Sequence, residues 1–341
     1  MTSSEGTADS GPVAPLQMTV AVAGGTGFVG GAIVRELARR GHRVLVLSRR
    51  PPDGPDAATG SSDTAVRVFA GSAASSGAVE TRRGDVTHPE TLAAALAGVD
   101  ALVVSLAFRN SPIEAPRRGR TFERVDADGT VALVSAAGAA GVRRLVYMSG
   151  AGAAPDAPRH WFRAKWRAEE AVRASGITYT IFRPSWIYGP GDRSLNRFLG
   201  FARWLPFVPQ IGNGRQLVAP VFVDDMGRLV ADALEASGAT DATLEVGGPE
   251  TLTMDAVVRE ALRIQGRRRL ILHAPAGLMK LLTRPLTLLL SPPMTPDAID
   301  FVVQSAQVDT GPLTAALPRR LMPLAEGLGS YLAPTRRGSP G

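Results

Sequence analysis

The sequence predicts an α/β fold: a doubly wound parallel sheet with a smaller C-terminal substrate lobe. Three observations predict it. Residues 19–50 read as an apolar strand, a glycine-rich turn, an amphipathic helix and a second apolar strand. Strand-like and helix-like runs then alternate to about residue 182, and strands separated by helices need right-handed crossovers and hence a parallel sheet. From Arg183 onward proline and glycine become frequent and the elements shorten, as in a lobe built beside the end of a sheet.

The elements follow in order. Residues 19–23 form the first strand, and Gly24, Gly27 and Gly30 lead from it into a helix that runs to Arg40. Gly24 lets the chain turn sharply, Gly27 lets the backbone approach a pyrophosphate, and Gly30 lets the helix pack close to its strand. The free N–H groups and partial positive charge of that helix N-terminus suit phosphate. Residues 43–48 form the second strand. Residues 51–77 are rich in Ser, Gly, Ala and Pro and read as a surface loop with a short strand at 66–69. The third strand is expected at 78–82, followed by Gly84-Asp85-Val86. Pro89 starts a helix to Ala97. Residues 100–106, apolar but for Asp100 and Ser105, read as a strand buried on both faces. A helix over 122–140, a strand at 144–148, a helix over 159–175 and a strand at 178–182 complete the alternation. Isolated strands are expected near 218–223 and 243–246. The organisation is a disordered tail (1–17), a nucleotide-binding domain (18–185), a lobe interleaved with the end of the sheet (186–333) and a second disordered tail (334–341).

Composition narrows the function. Among 341 residues there is no cysteine, which excludes disulfides and thiolate metal sites and favours a cytoplasmic location. The first 17 residues lack a basic start and an apolar core, so they are not a signal peptide. The net charge of +7 is carried almost wholly by arginine, and Lys165 and Lys280 are the only lysines. The arginines lie dispersed or in short groups with no interleaved aromatics, which argues against nucleic acid as a partner. The apolar region 270–290 is broken by His273, Pro275, Lys280, Arg284 and Pro285. It reads foremost as lobe core, and otherwise as a partner surface, a pocket lining or an amphipathic membrane contact.

The motifs resemble the short-chain dehydrogenase/reductase superfamily, in its extended and atypical branches, with their NAD(P)-binding Rossmann sheet. They are Gly24-x-x-Gly27-x-x-Gly30, Gly84-Asp85-Val86, the apolar run from Val99, residues 141–149, Arg183-Pro-Ser-Trp-Ile-Tyr-Gly-Pro-Gly191 and Pro220-Val-Phe-Val-Asp-Asp225. Residues 162–170 and 247–253 are most similar to NmrA-like proteins and to the nucleotide-binding accessory subunit of respiratory complex I. The resemblance implies that Gly24, Thr26, Gly27, Phe28 and Gly30 wrap a pyrophosphate. It also implies that Asp85 meets the adenine amine beside Val86, that Leu106 and Ala107 border a ribose, and that Pro184, Ser185 and Ile187 approach the nicotinamide.

An NAD site places an acid at the end of the second strand; here that place reads Ser48-Arg49-Arg50. Guanidinium groups there attract a 2′-phosphate, so NADP(H) is expected to be preferred, with NAD(H) possible. Active members of the superfamily carry Tyr-x-x-x-Lys on one helix face. The matching positions here are Trp161 and Lys165, and an indole N–H is no usable acid near neutral pH. Lys165 is expected to hold the nicotinamide ribose. Ser149, at the end of the fifth strand, would orient a substrate carbonyl, and Tyr188 is a candidate surrogate acid. His160 points about a third of a turn away from Trp161. Tyr147 reads as core, Asp126 and Asp128 as a solvated helix face, and Asp224 and Asp225 as helix caps. No His/Asp/Glu grouping shows metal-ligand spacing.

Two functions of different class follow, with a third behind them. The first is an NADP(H)-dependent oxidoreductase of altered chemistry acting on a small molecule. The second is a non-catalytic redox sensor or assembly factor with a protein partner. The third is a sugar-nucleotide epimerase or dehydratase, a chemistry that itself leans on the tyrosine.

Overall fold

The computed structural model describes residues 17–49, 77–108, 110–202, 204–289, 292 and 294–332. Both terminal tails, the surface loop with its strand at 66–69, and Arg50 lie outside the described residues, apart from Gln17 and Gly77 at their edges.

Strands β1 (Thr19–Ala23), β2 (Arg43–Ser48), β3 (Val79–Arg83), β4 (Ala101–Val104), β5 (Arg144–Met148) and β6 (Thr178–Pro184) alternate with helices α1 (Phe28–Arg39), α2 (Leu92–Ala95), α3 (Gly129–Ala139) and α4 (His160–Arg173). The C-terminal half adds β7 (Trp186–Tyr188), α5 (Leu195–Phe201), β8 (Phe207–Ile211), β9 (Leu217–Val218), β10 (Pro220–Phe222), α6 (Val223–Glu235), β11 (Ala242–Val246), β12 (Leu252–Thr253), α7 (Met254–Ile264), β13 (Leu270–Ala274), α8 (Ala276–Thr283), α9 (Pro296–Val303), α10 (Gly311–Ala316) and α11 (Leu324–Leu332). Seven strands form one parallel sheet in the order β11-β6-β5-β4-β1-β2-β3. The chain thus returns a late strand to the sheet beside β6.

Alternation along each strand divides the core into two layers. In β1, Val20 and Val22 pack with Ile33 and Leu37 of α1 and Leu229 and Val230 of α6. Ala21 and Ala23 pack on the opposite face with Leu92, Leu133 and Ala168. A third cluster, around Tyr188, Leu199, Val257 and Leu328, is the core of the lobe. Helices α1 and α6 are clasped by Arg40, which pairs with Glu36, Asp232 and Glu235, while Arg319 pairs with Asp232.

Several local expectations are corrected. The helix expected over 122–140 opens with π-helical turns at Phe122–Asp128 and becomes α-helical at Gly129. The helix expected from Pro89 is a 3-10 turn, Pro89–Thr91, followed by the short α2. Asp224 and Asp225 lie in the first turn of α6, where their charge complements the positive end of the helix dipole; the N-cap is Phe222 and no side chain caps it. Asp225 is buried, bonding Arg228 and the Met322 amide. The region 270–290 is not a buried core: most of its leucines are exposed. Among the described residues no helix is long and apolar enough to cross a membrane.

Candidate functional site

Strand order reverses between β1 and β4, and the crevice outside the carboxyl ends of those two strands is where open α/β sheets take their ligands. The glycine turn fills one side of that crevice. Gly24 has a φ of +87°, and a Cβ there would sit 2.1 Å from the Ser105 carbonyl oxygen. A Cβ on Gly30 would sit 2.1 Å from the Gly24 carbonyl oxygen. The Gly27 amide donates to that same oxygen at 2.9 Å and closes the turn. Gly27 is also the N-cap of α1, with no side-chain cap and no acid in the first turn. Thr26 and Gly27 are exposed at the tip. The result is a backbone cradle at a helix N-terminus with no acid in its first turn, and it fits a pyrophosphate. Phe28 faces the loop after β7, where a Cβ on Gly191 would come within 3.7 Å of its ring.

The neighbouring strand ends carry the other positions expected to meet the nucleotide. Arg49 follows β2 and is exposed. Asp85 follows β3. Its Oδ1 accepts from the Thr87 amide and hydroxyl, and its Oδ2 lies 3.2 Å from His88 Nδ1. Burial pushes this carboxyl up, but the Thr87 and His88 contacts outweigh it and hold it below the usual carboxylate value. Val86 and Leu106 come together over Gly129, where a Cβ would meet them at 2.9 and 3.4 Å. Ala107, next along the chain, is exposed.

The positions matching the catalytic helix are arranged differently from expectation. Trp161 is 2% exposed and sits in a hydrophobic cluster with Phe108, Phe122 and Ala164, with Phe301 of α9 packed on its ring. Its Nε1 is buried without a hydrogen-bond partner among the described residues. One turn on, Lys165 Nζ lies 2.6 Å from Asp126 Oδ1 and donates to the Met148 carbonyl at 3.2 Å. The Tyr147 ring lies against the ammonium, its centre 5.4 Å away. Burial alone would lower the Lys165 pKa; Asp126 and Tyr147 reverse that and hold it above its ordinary value. Asp126 is therefore a buried partner of Lys165, and its expected place on a solvated face is corrected; Asp128 is exposed and pairs with Arg167. Spacing carried a trace of this: Phe122, Asp126 and Thr130 recur every four residues and all three are buried.

Other candidates are held by the scaffold. Ser149 Oγ donates to Glu169 Oε1 at 2.6 Å, and Glu169, fully buried, also takes Arg183 and Arg173. The Ser149 hydroxyl is thus committed to a carboxylate. Ser185 Oγ donates to the Ala306 carbonyl and accepts from the Ala219 amide, tying β6 to the lobe. Pro184 ends β6 and accepts from the Ala151 amide, and Ile187 packs against the core around α6. Tyr188 is fully buried in the lobe core with its hydroxyl aimed at the Pro323 and Leu324 carbonyls, and burial raises its pKa. The structure brings Lys165 together with Asp126 and Tyr147; Tyr188 belongs to a different cluster.

One grouping was invisible to sequence spacing. Glu114, His160 and Asp297, far apart in the chain, offer ligand atoms that all lie within 4.8 Å of one another, a set that could hold a metal ion. The expectation that no such grouping exists is corrected to that extent. Glu114 Oε2 already pairs with His160 Nε2 at 2.8 Å, and Oε1 accepts from the Phe122 amide.

The sheet order and the glycine cradle together define a dinucleotide-binding α/β protein. Residues 24–199 match the family described as NAD(P)H-binding, and the chain belongs to that family. It is 32% identical over 236 residues to "NADH dehydrogenase [ubiquinone] 1 alpha subcomplex subunit 9, mitochondrial" of Arabidopsis thaliana, covering 68% of this chain and 54% of that protein. It is 29% identical over 283 residues to "Divinyl chlorophyllide a 8-vinyl-reductase, chloroplastic" of Oryza sativa subsp. indica, covering 78% and 64%. The chain therefore spans just over half to just under two thirds of the lengths of these relatives. Among solved structures, "MoeE5 in complex with UDP-glucuronic acid and NAD" superposes with a TM-score of 0.68 at 22% identity, covering 92% of this chain and 97% of that one, a likeness of fold.

Proposed function

We propose that the chain binds NADP(H) and reduces a small acceptor that needs little help from a protein acid, such as a quinone, a flavin or an activated alkene. The observation that carries this reading is one juxtaposition. A bare glycine cradle and a buried lysine–aspartate pair lie at the carboxyl edge of the same sheet, with an indole where the superfamily's active members keep tyrosine. The bound nicotinamide would supply a hydride. The turn from Gly24 to Gly30 and the first amides of α1 would hold the pyrophosphate, and Asp85 would take the adenine amine. Arg49 and Arg50 would take a 2′-phosphate. Pro184, Ser185 and Ile187 would line the nicotinamide end, and Lys165 would approach the adjoining ribose. Trp161 supplies no proton, so the acceptor draws its proton from solvent. The vinyl-reductase relative supports a reductase of this kind. Cofactor oxidation, followed by absorbance with a panel of quinones, flavins and activated alkenes, tests it: turnover with at least one acceptor class is expected. Tight NADPH binding with no oxidation by any of them would refute it.

One observation favours a second reading. Asp126 neutralises Lys165 inside the protein, and the Trp161 cluster packs the place of the phenol, so the chain would bind nucleotide without chemistry and present a cofactor-dependent surface to a protein partner. The complex I relative is in keeping with this. A stoichiometric partner retained from native lysate only when NADPH is present would support it.

A further inference from the structure

Between Glu260 and Asp297 the chain holds six arginine or lysine residues and no aspartate or glutamate, against a net charge of +7 for the whole protein. Of these six, Arg263 pairs with Glu260 and Lys280 with Asp300, while Arg267, Arg268, Arg269 and Arg284 make no ion pair among the described residues. The same stretch contains seven of the nine exposed large apolar side chains among the described residues.

The geometry sorts these side chains onto fixed faces. In β13, Leu270 and Leu272 point to one side of the strand and are exposed, Leu270 at 73%. Ile271, between them, points the other way and packs against the lobe core. Strand β13 pairs with β8, and Trp204, just before β8, is 85% exposed. In α8, Leu278, Leu281 and Leu282 stand at spacings of three and four and share one exposed helix face. Leu288 and Leu289, at the end of the following 3-10 turn, are exposed as well. The helix is anchored from behind, by the ion pair between Lys280 and Asp300 of α9 and by the buried Thr283. Arg117 holds the Leu288 carbonyl at 3.2 Å. Exposure of these leucines therefore belongs to anchored elements.

Soluble monomers rarely leave a large contiguous apolar surface to water. We propose that β13, α8 and the turn after it dock on the surface of an anionic lipid bilayer. The leucines and Trp204 enter the boundary between headgroups and acyl chains, and the arginines of residues 267–269 and Arg284 meet lipid phosphates. Charge complementarity decides the occupant. A second copy of this chain joined through the same face would bring together two stretches rich in arginine, at 267–269 and Arg284, and like charges repel across such an isologous contact. An anionic lipid surface offers the opposite sign together with an apolar layer. Indole side chains also favour the membrane interface. The contact is peripheral, since no described helix can span.

Flotation of the full chain with vesicles tests this. Phosphatidylcholine vesicles are compared with vesicles in which phosphatidylglycerol replaces part of the lipid. Partitioning is expected to rise about tenfold or more with phosphatidylglycerol and to fall at high salt. The variant Leu278→Ser/Leu281→Ser/Leu282→Ser, whose changes are all at exposed positions, is expected to keep its thermal midpoint and lose most of the partitioning. Arg268→Glu/Arg284→Glu is expected to lose the phosphatidylglycerol dependence and serves if the leucine variant fails to fold. Failure to float with either vesicle overturns the proposal. So does partitioning unaffected by the leucine substitutions, which would mean adsorption by charge alone. A dimer in solution that the leucine variant dissociates, without vesicle binding, would assign the face to a second copy instead. None of these outcomes depends on whether NADPH is turned over.

Discussion

Lys165 Nζ and Asp126 Oδ1 lie 2.6 Å apart, with side chains only 14% and 3% exposed. A cation from α4 and a carboxylate from the helical turn before α3 thus neutralise each other at the edge of the nucleotide crevice. The other carboxylate oxygen, Asp126 Oδ2, is buried with no hydrogen-bond partner among the described residues. Such a pair costs desolvation, and its removal from one side leaves a charge that nothing satisfies.

Asp126→Ala is accordingly expected to lose about 3–5 kcal/mol of stability, and Lys165→Ala a similar amount. The double variant Asp126→Leu/Lys165→Met should recover most of the loss, because apolar groups of similar volume remove both charges together. Urea unfolding of the four proteins compares their stabilities directly. Single variants as stable as the wild type would show that the pair carries no structural weight.

The cradle makes a sharper demand. Gly30→Ala would place a methyl group 2.1 Å from a backbone oxygen that cannot swing away. It is expected to cost about 1–3 kcal/mol and to weaken NADPH binding more than tenfold. Gly138→Ala is the control: it lies inside α3 with nothing within 4 Å of the new Cβ, and it is expected to stabilise by up to about 1 kcal/mol. Equal effects of the two substitutions would contradict the close approach.

In the proposed reading, cofactor choice rests on Arg49 and Arg50, after the second strand. Arg49→Ala/Arg50→Ala should lower the ratio of NADPH to NADH affinity by at least about tenfold, since a charge-assisted contact to the 2′-phosphate is lost while the rest of the site is kept. Parallel titrations with the two coenzymes read this directly. A ratio that does not move would remove these arginines from the site.

A pH dependence follows from His160. Its hydrogen bond to Glu114 raises the imidazole pKa above the ordinary value, against the effect of partial burial. The folded state therefore favours the protonated ring. That stabilisation is fully present below the unfolded pKa of about 6.5 and is lost as pH rises through the elevated folded value. The thermal midpoint of the wild type should exceed that of His160→Gln most at pH values near 5.5, and the gap should close in alkaline buffer. A gap that is the same at every pH would exclude the charged pair.

How much was legible in the sequence differs by element. The parallel sheet was legible because its central strands, such as β1, β2 and β4, are apolar runs bounded by glycine or helix signals, and the strand at 144–148 matches residue for residue. The cradle was legible because close backbone approach leaves no choice but glycine. Asp126 was misread because its charge suggested solvent, and only the tertiary position of Lys165, thirty-nine residues on, gives it a partner. Ser149 was expected at the end of the fifth strand and Tyr188 in a loop after the sixth, where the structure has β7, and whether a hydroxyl faces a ligand or Glu169 depends on packing that no local pattern records. The leucines of α8 were read as core because an apolar stripe looks the same whether it faces protein or another apolar layer.

The central claim is that the Gly24–Gly30 cradle binds a nicotinamide dinucleotide, with the 2′-phosphate favoured. Isothermal titration of the full chain with NADPH and with NADH tests it most directly. A single-site isotherm that is tighter for NADPH is the expected result, and the absence of any binding heat with either coenzyme would contradict the account.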